Sequence, residues 1–319
     1  MTPEERKVVD KQRTIQRRRD AQPEQEASEP RAMQAGARHY PEPPLPAQHL
    51  DKPGEESALS PSPMFDAPYY KGSGKLEGMT AIVTGGDSGI GRAVCVLFAR
   101  EGADIALFYL SEDADAEETK RHVEAEGRRC ELFAGDVADR AFCRSAIEQV
   151  VQTFGRLDIL VNNAAFQIHT PSFEEISEEQ FDLTMRTNVY GYFHMAQEAA
   201  AHMKNGAAIV NCGSVTGLEG AKSLVDYATT KGAIHAFTRS LAGNLLDKGI
   251  RVNAVAPGPV WTPLNPADQS PDKVASFGKS AKMRRPAQPE EVAPAFVFLA
   301  SPQMSSYITG EILPVIGGY

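Results

Sequence analysis

The stretch that most constrains this chain runs from Met79 to Ala99, MTAIVTGGDSGIGRAVCVLFA. Ala81, Ile82 and Val83 form a short apolar run of strand type, too brief to be a helix. Thr84-Gly85-Gly86-Asp87-Ser88-Gly89-Ile90-Gly91 follows as a glycine-rich turn, and Ile90, Val94, Leu97 and Phe98 then recur on one helical face. Strand, glycine turn and helix in that order open a nucleotide-binding βαβ unit. The glycines allow a tight turn and let backbone N–H groups approach a pyrophosphate at the positive end of the helix. The spacing is GxxxGxG rather than GxGxxG, and a glycine turn alone also serves ordinary loop geometry.

The rest of the chain bounds what surrounds this unit. Its 319 residues allow one large α/β domain plus extra sequence, and 42% hydrophobic residues suffice for a sizeable core. A net charge of −9 with no basic block in the body argues against nucleic acid as a partner. Cys95, Cys130, Cys143 and Cys212 form no CxxC and no metal-type pairing with His, so buried free thiols, no metal and a reducing, cytoplasmic setting are expected. No apolar run is long enough to span a bilayer. Arg17-Arg18-Arg19 is followed by Asp20, Gln22, Pro23 and Glu24 where an export signal needs apolar residues.

Residues 1–75 read as a proline-rich extension and 76–319 as the nucleotide-binding domain. The first part, TPEERKVVDKQRTIQRRRD, allows a short charged helix with Val8, Val9 and Ile15 as its apolar points. Prolines recur from Pro23 to Pro68 and favour extended chain over helix or central strand. Such a segment is either a disordered tail or an arm laid over the body or a neighbouring subunit. Tyr40, Leu45, Leu59, Met64, Phe65, Tyr69 and Tyr70 supply anchors for an arm, so disorder is expected over 1–35 and order over 40–75. From Met79 on, strands and helices alternate as in a doubly wound parallel sheet. Strands are expected at 104–109, 130–134, 157–161, 207–210, 251–255 and 312–315. Ser177 and Gln180 read as a capping box opening a long helix through Met203. In such sheets ligands bind beyond the carboxyl ends of the strands, where every unusual motif lies.

Tyr227 and Lys231 place a phenol and an ammonium one helical turn apart. Ser214, at the end of a strand, would reach the same pocket. A tyrosine base must lose its proton far below its free pKa of about 10, and a neighbouring ammonium favours the phenolate. Ser214 could hydrogen-bond the substrate oxygen as charge develops there. Asn188, in mid-helix, either bends the backbone or holds a water, or is an ordinary polar residue on an exposed face.

With these residues assembled, the chain from about residue 76 resembles the short-chain dehydrogenase/reductase family. The matching motifs are TGxxxGIG (Thr84 to Gly91), Asp136, Asn162 to Ala165, Asn188, Ser214, the YxxxK pair and Pro257-Gly258. The proline-rich arm and TGGDSGIGRAV resemble a subgroup described as glucose/ribitol dehydrogenase-like or general-stress oxidoreductases. The resemblance implies a single Rossmann-type domain with about seven parallel strands, a nicotinamide dinucleotide and a homotetramer. It also implies roles: Tyr227 as acid/base, Lys231 tuning it and binding the nicotinamide ribose, Ser214 orienting the substrate oxygen, and Asn188 supporting a water-linked proton path. Gly85, Asp87, Ser88, Gly89, Ile90 and Gly91 would meet the pyrophosphate. Asp136 and Val137 would contact adenine, and Asn163, Ala164 and Ala165 the adjoining ribose region. Pro257, Gly258, Val260 and Thr262 would hold the nicotinamide side. Ala165 departs from the usual glycine of NNAG, adding a methyl near the cofactor.

Cofactor choice should be set by Tyr109, Leu110 and Ser111, which supply neither the Asp of NAD sites nor the Arg of NADP sites. Glu112, Asp113 and Asp115 follow, and their charge would repel the extra phosphate, so NAD(H) is favoured over NADP(H). The turn-rich loop after Pro257-Gly258 is long enough to close over a ligand. Trp261 either walls the pocket or packs beneath that loop. Gln167 and His169 could reach a polar substrate, although a partly buried neutral histidine is the plainer reading of His169. The expected activity is hydride transfer to or from an alcohol or carbonyl, such as a sugar, polyol or small aldehyde. The alternatives are a ketoacyl reductase, for which Arg284-Arg285 is the only short docking patch, and a non-catalytic nucleotide sensor.

Overall fold

The computed structural model describes residues 2–21 and 31–318. Its contacts divide the chain into two units, Met1–Ala32 and Met33–Tyr319. In the first, α1 (Pro3–Asp20) is the short charged helix that its composition allows, with Val8 and Ile15 exposed. Helix α1 occupies residues 3–20 of the stretch expected to be disordered, and 22–30 lie outside the described residues.

The second unit is built on one sheet of seven parallel strands. These are β1 (Thr80–Thr84), β2 (Asp104–Tyr109), β3 (Cys130–Ala134), β4 (Ile159–Asn162), β5 (Ala208–Cys212), β6 (Arg251–Pro257) and β7 (Ile312–Val315). Their order is β3-β2-β1-β4-β5-β6-β7, so the winding reverses between β1 and β4, and a crevice opens there beyond the strand ends. The helices that follow α1 are α2 (Gly89–Arg100), α3 (Asp113–Ala125), α4 (Arg140–Phe154), α5 (Glu178–Met185), α6 (Gly191–His202), α7 (Thr216–Glu219), α8 (Val225–Leu245), α9 (Pro271–Ala275), α10 (Pro289–Ala300) and α11 (Pro302–Ser305).

Alternation along the strands divides the core. Ala81 and Val83 of β1 pack with Val94, Leu97, Phe296 and Val297 of α2 and α10. Ile82, between them, packs on the opposite face with Ile147, Met195 and Leu245 of α4, α6 and α8. With both faces covered, every residue of β1 and β2 is buried, as parallel strands require. Helix α2 is buried almost all round rather than along one face, because Phe65 and Tyr70 of the arm join its cluster. Ser177 caps α5 by accepting the N–H of Gln180 (3.1 Å), but the capping box is incomplete: the Gln180 side chain turns to Thr170 and Asp226.

Residues 33–75 run as an arm across this unit, tied by backbone bonds from Met33 to Met283, Leu45 to Ala275 and Leu50 to Pro266. Leu45 and Leu59 close over Trp261 and Val274, and Trp261 donates its indole N–H to Pro61 O (2.8 Å). Trp261 therefore packs beneath the arm. Two buried body carboxylates receive the chain: Glu290 accepts from Arg38 and the Ala67 N–H, and Glu101 from Tyr70, Lys75 and the Ser73 N–H. Burial alone would raise the Glu101 carboxyl, but these donors outweigh it and hold it down at about 2.

Candidate active site

The glycine turn is shaped by close contacts as much as by conformation. Gly89 has a φ of +51°, and a Cβ there would lie 2.8 Å from the Thr262 Cγ2. At Gly91 a Cβ would fall 1.8 Å from the carbonyl oxygen of Gly85. The start of α2 is thus pressed against the turn, leaving a cradle of bare backbone at a helix N-terminus, which fits a pyrophosphate. Thr84 Oγ1 accepts the N–H groups of Asn163 (2.9 Å) and Ala164 (3.1 Å), and Asn163 Nδ2 donates back to the carbonyls of Thr84 and Gly85. The Asn162–Ala165 turn after β4 and the glycine turn after β1 are therefore laced together on either side of the switch point.

A cleft of about 770 Å³ opens above them. Gly85, Asp87, Ser88, Gly89 and Ile90 form its floor, with Tyr109 and Leu110 at the end of β2 and Asp136 and Val137 beyond β3. Asn163, Ala164 and Ala165 line the middle. Ser214, Tyr227, Lys231, Pro257, Gly258, Val260 and Thr262 line the far side. Three expected contacts stand elsewhere. Gly91 lies within the helix start, Ser111 turns its hydroxyl to Glu112, and Asn188 is buried behind the wall. Burial pushes the Asp87 carboxyl up to about 6, with Glu112 and Asp115 adding to it.

Ser214, Tyr227 and Lys231 meet where β5 ends against α8. Lys231 is fully buried, donates to Cys212 O (2.8 Å) and stands 5.3 Å from the centre of the Tyr227 ring. Burial pushes the Tyr227 phenol up, aided by Cys212 and opposed by its hydrogen bond with Ser214, while burial draws the Lys231 ammonium down. Ser214 Oγ accepts from the N–H and hydroxyl of Thr216, and the Ser214 N–H points to Nε2 of buried His235 (3.4 Å). Asn188 sits in a wide π-turn, Arg186–Tyr190, that interrupts the long helix. It is buried rather than on an exposed face. Its amide clasps both backbone groups of Phe166 (2.8 Å each) and donates to Thr230 Oγ1 (3.0 Å), so it ties the segment after β4 to α8.

The end of the cleft lined by Gln167 and His169 is polar. Asp268 accepts from the His169 N–H (2.7 Å), His169 Nδ1 (2.5 Å) and Gln167 Nε2 (3.1 Å), binding the loop after β6 to the segment after β4. Sequence reasoning missed the arm here. Lys52, Pro53 and Gly54 line the cleft, and the Lys52 ammonium donates to Gln167 O (2.7 Å) beside the Phe166 ring. Its pKa is lowered by burial. The only signal in the sequence was a lysine next to a proline.

A doubly wound parallel sheet with a glycine-turn cradle and a Ser-Tyr-Lys set across one cleft defines a nicotinamide-dinucleotide oxidoreductase. The comparisons agree. A family model described as Enoyl-(Acyl carrier protein) reductase matches residues 85–319. General stress protein 39 of Bacillus subtilis is 51% identical over 275 residues, 86% of this chain and 96% of that protein. NADPH-dependent aldehyde reductase 1, chloroplastic, of Arabidopsis thaliana is 46% identical over 277 residues, covering 85% and 96%. Glucose and ribitol dehydrogenase of Daucus carota is 45% identical over 279 residues, covering 86% and 96%. Among solved structures, a short chain dehydrogenase from Burkholderia cenocepacia in complex with NADP superposes with a TM-score of 0.72 at 33% identity, over 76% of this chain and 98% of that one. The chain belongs to the short-chain dehydrogenase/reductase family and is an NAD(P)-dependent oxidoreductase.

Proposed function

We propose that the protein interconverts a hydroxyl and a carbonyl on a sugar, polyol or small aldehyde, with Tyr227 as acid/base. The observation that carries this reading is Ser214, Tyr227 and Lys231 lining one cleft with the glycine turn. The nicotinamide, when bound, supplies or accepts the hydride. Tyr227 gives its phenolic proton to the carbonyl oxygen in reduction and takes one back in oxidation, and Ser214 holds that oxygen in place. Lys231 carries positive charge beneath the phenol and binds the nicotinamide ribose. Asn188 fixes Phe166 at the cleft wall and supports the route by which water restores the Tyr227 proton. Asp136 and Val137 would face adenine, Asn163, Ala164 and Ala165 the ribose region, and Pro257, Gly258, Val260 and Thr262 the nicotinamide side.

Support for a polyhydroxylated or aldehyde substrate comes from the Gln167, His169 and Asp268 cluster and from the names of the carrot and Arabidopsis relatives. Of the Arg284-Arg285 patch that a carrier would use, Arg285 is buried and paired with Glu291 (2.7 Å), which leaves Arg284 alone exposed. We read NAD(H) as bound more tightly than NADP(H), since Glu112 lines the cleft beside Leu110 and would face an added phosphate. The name of the NADPH-dependent relative makes that preference the sharper test. Exposed Phe181, Leu183, Tyr190 and Phe193 on α5, the π-turn and α6 support a homotetramer. Four buried free cysteines support a cytoplasmic setting.

The test is a panel of alcohols and aldehydes mixed with the protein and NAD(H) or NADP(H), read at the reduced-nicotinamide absorbance. Turnover of polyols or short aldehydes is expected, and a panel silent with both cofactors would defeat the reading. Because burial holds the phenol protonated, alcohol oxidation should quicken as pH rises, whereas carbonyl reduction should not.

A further inference from the structure

Residues 52–56 of the arm cross the mouth of the cleft. Gly54 has a φ of +104°, and a Cβ there would lie 3.0 Å from Pro263 Cβ, so the arm rests directly on the loop that carries Thr262. Two residues on, the Glu56 carboxylate reaches the start of α2. Its Oε2 accepts the Gly89 N–H at 2.5 Å, and its Oε1 lies 2.7 Å from Arg92 Nη1. The Glu56 N–H donates to Asp115 Oδ2 (2.8 Å), and Arg92 donates to the Asp87 carbonyl (2.9 Å). The arm thus holds the glycine turn at two points, directly at Gly89 and through Arg92 at Asp87.

We propose that Glu56 is a positioning residue for the dinucleotide, which makes the arm a working part of the cofactor site. The turn must present its amides in one arrangement to a pyrophosphate, and a turn left free would gain that order only on binding, at a cost in affinity. Glu56 is 3% exposed, so water does not substitute for it at Gly89. Burial pushes its carboxyl up to about 7 against the pull of Arg92 and the Gly89 N–H. An arm that needed only to stay docked has Glu290, Glu101 and the Trp261 cluster for that purpose.

The inference rests on the glycine turn being the dinucleotide site, and the two are separable: a full-length protein that binds neither nucleotide defeats that reading first. The experiment titrates NADH and NADPH by nicotinamide fluorescence against the full chain and four variants, with melting curves alongside. Glu56→Ala should raise the cofactor Kd about tenfold while kcat at saturating cofactor stays within about twofold. Glu56→Gln keeps the reach to Gly89 and should bind within about twofold of the parent. Glu56→Asp keeps the charge but draws back from Gly89, and should weaken binding like Ala. Should the Ala variant not fold, the Gln and Asp pair decides. Tyr70→Phe loosens the arm elsewhere and should lower the melting temperature without moving Kd. Equal Kd values for Asp, Gln and parent, or a Tyr70→Phe loss as large as that of Glu56→Ala, would overturn the proposal.

Discussion

In the sheet body, β1 and α2 place Val83, Val94, Leu97 and Phe98 wholly out of water, whereas from 33 to 75 only Tyr40, Leu45, Leu59, Pro63 and Ala67 among the apolar side chains are buried. The arm is fixed instead by directed polar contacts: Arg38 and the Ala67 N–H on Glu290, Tyr70 and Lys75 on Glu101, and Glu56 on Gly89 and Arg92. Apolar burial stabilises each core side chain by about 1.5–3 kcal/mol but does not specify a path. A buried carboxylate does, because any register that leaves it without donors costs several kcal/mol. The difference teaches that a proline-rich segment with few large anchors can still be placed to the residue.

The largest expected effect lies wholly in the body. Tyr227→Phe should cut turnover about a thousandfold or more while leaving cofactor affinity and melting temperature near those of the parent. A Phe variant with near-parental turnover would break the assignment of chemistry to the body. The next effect is confined to the arm. Glu101 is held at about 2 in the folded chain against an ordinary value of 4.5. A depressed carboxyl contributes stability above its unfolded pKa, so about 3 kcal/mol should be lost as pH falls from near 4.5 toward 2. Acid titration followed by limited proteolysis should therefore show cleavage near 66–75 before the sheet unfolds. Simultaneous loss of both regions would erase the distinction. Leu110→Arg, at the rim of the cleft, should shift preference toward NADP(H) by about tenfold, or about 1.4 kcal/mol, in paired titrations. Smallest of all, removing residues 1–31 should leave the melting temperature within about 2 °C, since Val8 and Ile15 of α1 are exposed.

Much of the body was legible because its signals are local. Alternating strand and helix segments, the glycine turn and the motifs at strand ends each declare themselves within a few residues, and β2, β3 and β7 begin and end where the pattern puts them. The site was legible to the same extent: Ser214, Tyr227 and Lys231 share a cleft with the turns after β1 and β4. Asn188 shows the limit. Its residue type suggested a disturbed helix, but the π-turn and the clasp on Phe166 depend on a segment 22 residues away. Gln180 likewise abandons its cap for Asp226, a partner that no local pattern names. The arm was least legible. Lys52 and Gly54 line the cleft and Glu56 meets Gly89 through contacts no window of sequence contains.

The bond between Arg38 and Glu290 joins residues 252 apart. At roughly 5–20 residues per second of synthesis, the acceptor leaves the ribosome on the order of ten seconds or more after the donor. Throughout that interval residues 33–75 are made but lack part of the surface they dock on. Their prolines and charges suit the wait, since such a segment resists both premature strand pairing and self-association. The first turn of α10 is then a release signal: only when Glu290 emerges can residues 33–75 settle along their full length.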